Sequence, residues 1–228
     1  MPPSKRTKTK TKTKRTPLTR ELVLQTAVTL ADQIGIAELS MRRLGQALGV
    51  EAMSLYRHVA SKEDILDGIV DCVVREIEAP EIGGDWQAAM RKRAVSAHAV
   101  LMRHPWATML LLSRENAGPA MLHYVDATLG CLREAGFSFP MADHACNAVD
   151  NYLYGYTLQR LNLPAKADEH VAAARGLLAQ LPAEQHPYLR GLTEQIVAGQ
   201  HDGVHSLELG LDLILEGLEK LRKKGRGR

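Results

Sequence analysis

Aromatic side chains make up only 4% of this 228-residue sequence, and cysteine occurs three times. Strands draw on aromatic and β-branched residues, whereas this chain is rich in Ala and Leu, so an all-α fold is expected. Cys72, Cys131 and Cys146 are odd in number, far apart and free of CxxC spacing. That pattern argues against both a disulfide framework and a zinc site. No window of about eighteen apolar residues occurs, and no apolar segment follows the positive N-terminal stretch, which argues against a membrane span and a signal peptide. A soluble, cytoplasmic protein with no membrane partner is expected. The nine histidines form no HExxH or other paired ligand spacing, and no nucleophile motif accompanies them. The expectation is no metal, no cofactor and no catalysis, with turnover of a small molecule by a histidine-rich helical domain as the alternative.

Net charge is also scarce, at +3, but it is unevenly spread. Residues 1–17 hold seven basic side chains and no acid, while the rest of the chain has 22 basic against 26 acidic residues, a net of −4. The KTKTKTK run has no apolar face and its like charges repel, so residues 1–17 are expected to form a disordered basic arm. Such an arm is either a solubilising extension or a nonspecific DNA contact.

What the sequence does contain is a compact pattern from Ser40 to Lys62, SMRRLGQALGVEAMSLYRHVASK. Ser40 is a candidate N-cap, Met41, Leu44, Ala47 and Leu48 recur on one helical face, and Gly49 suits a left-handed helix end. A second helix over about 51–58 turns Leu55 and Val59 inward and leaves Ala52, Met53, Ser54, Arg57 and His58 outward. Two helices and a tight turn of this kind form a helix-turn-helix or an ordinary helical hairpin. Charge favours the first: Arg42, Arg43, Arg57 and Lys62 oppose only Glu51, with His58 as a further donor, and phosphate is the matching partner.

The segment LGVEAMSLYRHVASKEDIL, with its LYxHV followed three residues later by lysine, resembles the DNA-binding domain of the TetR (tetracycline repressor) family over about 19–78. DWQAAM, RHPW, LREAGF and YGYTLQ resemble the ligand-binding domain of its tetracycline-repressor-like branch. The resemblance implies a three-helix helix-turn-helix domain followed by a larger helical bundle. It further implies a homodimer on a double-stranded DNA operator, most simply a repressor released by a small-molecule effector. By family position Tyr56, His58 and Lys62 meet phosphate, and Arg42, Ala52, Met53 and Ser54 face base edges. A nonspecific DNA-packaging protein is the further alternative.

Along the chain, Thr19 caps a first helix with Val23, Ala27, Leu30, Ala31 and Ile34 inward, and Ser61 opens an acidic helix running to about Glu78. Pro80, Gly83 and Gly84 mark a boundary, giving a DNA-binding domain over 18–80 and a ligand-binding and dimerisation domain over 84–225. The latter holds helices over 86–103, from Pro105, over 119–134 and over about 140–161. Residues 162–187, with three prolines, read as a variable connection except for 171–181, and a last helix spans about 204–221.

Met90, Met102, Met109 and Met121 fall on helices that would surround a cavity, together with His98, His123, Asn147, Asp150, Asn151 and Tyr154. Methionine adapts to irregular ligands, though each position is more often packing. The last helix carries Leu207, Leu211, Ile214, Leu218 and Leu221 as one stripe, with Leu209, Leu213 and Leu215 off it. The resemblance pairs this helix and NYLYGYTLQ with their copies as a four-helix dimer interface. Gly155 would allow close approach, Tyr152 and Tyr156 would fill the contact, and Gln159 would add a polar one. Core within one chain, and solvent for Gln159, is the other reading.

Overall fold

The computed structural model describes residues 17–114, 118–162, 167–201 and 205–225, so the basic arm lies almost wholly outside the described residues. Every regular element among them is helical, and the helices starting at Arg20, Met41, Lys62 and Trp86 begin with a cap that the local sequence supplies. Thr19 accepts a bond from the Leu22 amide and opens α1 (Arg20–Ile34). Ser40 does the same from Arg43 for α2 (Met41–Leu48), and Gly49 closes it at φ 67°, a conformation that costs a glycine little. The next helix, α3 (Ala52–Leu55), is shorter than the expected 51–58, because the chain tightens after it: His58 and Val59 both donate to the Leu55 carbonyl. Ser61 then caps α4 (Lys62–Arg75), which ends before the expected Glu78.

Asp85 caps α5 (Trp86–Arg103) through bonds from Gln87 and Ala88, and α6 (Ala107–Ser113) follows after Pro105. Next come α7 (Pro119–Glu134), α8 (Phe139–Asn162), α9 (Ala167–Leu178), α10 (Pro187–Val197) and α11 (Leu207–Gly225). Helix α9 falls within the connection expected over 162–187, a few residues earlier than its periodic stretch 171–181, and α10 starts where that connection was expected to end. Its Pro187 occupies the first turn, where a missing N–H costs nothing, rather than breaking a helix. The α9–α10 pair packs chiefly on itself.

Two apolar clusters hold the molecule. The first joins α1–α4 to Ala97, Val100 and Leu101 of α5, Trp106, Tyr124 and Leu153, so the small N-terminal unit is welded to the bundle by hydrophobic contact. The second gathers Trp86, Met90, Leu132, Phe137 and Val149 around four leucines of α11, Leu207, Leu211, Leu215 and Leu218. Of the residues expected at a dimer interface, Leu207, Leu211 and Leu218 are buried within their own chain, because successive turns of α11 face α5 and α8. Ile214 is half-buried at the edge of the same cluster.

Candidate nucleic-acid interface and its links to the helical bundle

Leu44 and Leu55 are fully buried and Val59 nearly so, which pins α2 and α3 to α1 and α4 and forces their other sides outward. Met53 is 75% exposed and Tyr56 48%. Arg42, Arg43, Arg57 and Lys62 are exposed, and Ala52, Ser54 and His58 are half-buried. Arg42 and Arg43 share a groove with Ser40, Gln46 and Ala47 along the end of α1. Arg43 is held there by Glu38 at 2.8 Å, a competitor that any phosphate would have to displace. The start of α4 is fixed by Arg20, which donates to both carboxylate oxygens of Asp64 at 2.8 and 2.6 Å. That guanidinium holds the Asp64 carboxyl below its ordinary range. Asp64 also accepts the Ala60 amide at 2.7 Å, so the turn carrying His58 and Lys62 is braced from both sides.

Polar joints tie α4 and α1 to the bundle. Asp71, only 7% exposed, accepts the Ala120 and Met121 amides at 2.8 and 3.1 Å and so caps α7 from another helix. Gly118 makes this possible, since a β-carbon there would fall 2.2 Å from the Asp71 Oδ1. Arg114, at the end of α6, reaches Glu63 at 2.7 Å and Asp67 at 2.8 Å. Finally, Asp32 of α1 lies 2.8 Å from His104 Nδ1 and accepts the Trp106 indole N–H at 2.7 Å, while the other edge of His104 faces Glu76 at 3.4 Å.

Within the bundle the eight candidate ligand residues do not converge. Met90 is fully buried in the second cluster, and Tyr154 packs against the first. His98 is half-buried, its Nδ1 2.9 Å from the Thr157 hydroxyl, and burial lowers its pKa. Met102, Met109, His123 and Asn147 are exposed, Asn147 bonding back to the Asp143 carbonyl of its own helix. Asn151 lies instead on a groove of about 560 Å³ between α8 and α11, with Tyr152, Gly155, Tyr156 and Gln159. Gly155 faces open space, whereas the two tyrosines are already engaged, donating to the carbonyls of Ser206 and His205 at 3.1 and 2.9 Å. The outer lip of this groove is Leu209, 63% exposed, and Leu213, 68% exposed.

A polar cluster lies elsewhere in the bundle, at buried Arg93 on α5 and Tyr124 on α7 and half-buried Asp150 on α8. Of these the sequence singled out only Asp150. A signal for Arg93 was present: it is the one charged residue on the inward stripe of α5, between Met90 and Ala97. Nothing comparable marks Tyr124, whose partners come from other helices.

A family model for bacterial regulatory proteins of the tetR family matches residues 23–69, and one for the tetracyclin repressor-like C-terminal domain matches residues 79–222. This chain belongs to the TetR family. Its relatives include the HTH-type transcriptional repressor DrrR1 of Streptomyces coeruleorubidus, 33% identical over 92% of this chain and 80% of that protein. The class D tetracycline repressor of Escherichia coli is 30% identical over 89% of each chain. Among solved structures, the Streptomyces coelicolor TetR family protein ActR in complex with actinorhodin superposes with a TM-score of 0.77 at 29% identity, covering 91% of this chain and 99% of that one. The TetR-family relatives are transcriptional regulators. No described helix of this member is long and apolar enough to cross a membrane, and no three His, Cys, Asp or Glu side chains among the described residues gather to hold a metal ion.

Proposed function

We propose that this TetR-family chain is a cytoplasmic, homodimeric repressor that occupies a palindromic operator and leaves it when a small molecule enters the C-terminal helices, acting by binding and not by turnover. Residues 18–80 read DNA, 84–225 bind effector and partner, and the basic arm adds phosphate contacts. The observation that carries this reading is the outer face of α2 and α3, where exposed Met53, Tyr56, Arg42 and Arg57 stand opposite buried Leu44 and Leu55. Tyr56, His58 and Lys62 contact phosphate, while Arg42, Ala52, Met53 and Ser54 meet base edges, with Arg43 and Arg57 adding charge. Apolar Ala52 and Met53 suit thymine methyl groups, which leaves Arg42 as the main hydrogen-bonding reader and gives DNA shape a share of the specificity. Two copies then fit successive major grooves about 34–36 Å apart.

Footprinting on DNA flanking its own gene tests this first. On the protected sequence, Arg42→Ala is expected to cost about 1–3 kcal/mol and to relax the preference at one position, whereas Lys62→Ala weakens all sequences alike. Equal losses on operator and random DNA for Arg42→Ala would remove it from the reading surface.

A further inference from the structure

Arg93 is 2% exposed, at the meeting point of α5, α7 and α8. Its guanidinium lies 4.6 Å over the Tyr124 ring, and its Nη2 is 2.8 Å from Asp150 Oδ1. Among the described residues its Nε and Nη1 have no hydrogen-bond partner, nor have the Tyr124 hydroxyl and Asp150 Oδ1, the last held only by its charge contact with Nη2, and all four atoms are sealed from solvent. A guanidinium carries five N–H donors in a fixed fork, and one carboxylate balances its charge without filling the fork. Each unmet buried donor costs stability, and apolar residues of similar size usually hold a core at least as well as a buried ion pair. Packing therefore does not account for this cluster. Its unmet N–H and O–H groups outnumber the one unmet carboxylate oxygen, so on balance its missing complement is an acceptor.

We infer that Arg93, Tyr124 and Asp150 form the polar end of the effector site, and that the effector is an organic acid whose carboxylate or phenolate oxygens accept from the Arg93 guanidinium and the Tyr124 hydroxyl. This rests on the reading of the chain as a ligand-released repressor. Charge is conserved on entry if Asp150 takes up a proton and yields Arg93 to the incoming anion. Burial, the largest influence on Asp150, raises its pKa despite Arg93 and favours that exchange. Tyr154 borders the same charges and supplies a further aromatic wall.

The test uses the full-length protein and three acids of graded size, salicylate, 2-naphthoate and anthraquinone-2-carboxylate, each beside its primary amide. Calorimetry measures binding, and fluorescence anisotropy measures release of the footprinted operator. At least one acid is expected to bind tenfold or more tightly than its amide and to release operator at correspondingly lower concentration. Tyr124→Phe, which keeps the ring, should cut that acid's affinity on the order of tenfold with less effect on the amide. Arg93→Met combined with Asp150→Asn, which strands neither charge, should erase the preference. If no acid outbinds its amide, or if the preference survives the double variant, the assignment falls. Failure of the repressor reading looks different: no DNA is protected before any acid is added, while the calorimetric comparison still stands.

Discussion

The joint between α4 and α7 permits a worked prediction. Asp71→Ala removes the acceptor that serves two first-turn amides of α7, and Gly118 has no side chain to take its place. Loss of an N-cap costs about 0.5–2 kcal/mol, and loss of a negative charge at the helix N-terminus adds about 0.3–1 kcal/mol. The site is largely buried, so water replaces the acceptor poorly, and the expected total is about 2–3 kcal/mol. For a chain of this size that lowers the melting temperature by roughly 4–12 °C. Asp71→Asn keeps an oxygen in place and should recover more than half of the loss. Gly118→Ala would push a β-carbon into the same carboxylate, so its cost should overlap with that of Asp71→Ala rather than add to it. Thermal unfolding at fixed protein concentration measures the parent, the three single variants and the Asp71→Ala, Gly118→Ala double variant. A melting temperature for Asp71→Ala within about 1 °C of the parent would refute the cap, and an Asn variant as poor as Ala would shift the effect from hydrogen bonding to charge.

Two further predictions follow from the surface and from titration. Leu213 projects from the lip of the α8–α11 groove, so Leu213→Lys is expected to convert a dimer to monomer at micromolar concentration in sedimentation and to weaken operator binding with it; an unaltered dimer would place the interface elsewhere. Burial lowers the pKa of His98, so the unfolded chain takes up the proton first, and stability should fall as pH drops below the ordinary value of about 6.5. His98→Gln should flatten that part of the stability–pH curve, and an unchanged slope in denaturant titrations would exclude His98 as its source.

The parts legible in the sequence are those with local causes. Ser40, Gly49 and Ser61 signal helix ends through bonds that span only a few residues, and helices 86–103 and 119–134 begin at Asp85 and Pro119 for similar reasons. Pro187 carries the same kind of signal, but beside Pro164 and Pro182 it looks like the end of a connection rather than the first turn of α10. Where a helix is apolar on several sides, periodicity has no unique solution. Packing against α5 and α8 draws in Leu215 and leaves Leu209 and Leu213 outside, the reverse of a dimer stripe through Leu207, Leu211 and Leu218. Methionine is an equally weak guide, since Met90 is core while Met102 and Met109 face outward. The Arg93 cluster depends on three helices meeting, which no single stretch of sequence encodes.

The route from that cluster to the proposed DNA-reading face is short and runs through groups already paired. Arg93 and Tyr124 lie on α5 and α7, two of the helices that α4 touches, α7 through Asp71 and both through the shared apolar cluster. A molecule that separates Arg93 from Asp150 must shift α5, α7 or α8 to make room, because interiors are close-packed and yield by moving elements rather than by compressing them. A shift of α7 is transmitted to α4 by the Asp71 cap, and a shift of α5 reaches α1 through His104 and Asp32. At its far end α4 carries Lys62 and, through Arg20 and Asp64, the turn that bears His58. An effector–operator coupling of about 1–3 kcal/mol requires contacts that differ by only that much between the two states. One charged hydrogen-bonded joint such as Asp71 is of this size, so the switch needs no rearrangement larger than the loosening of a single cap.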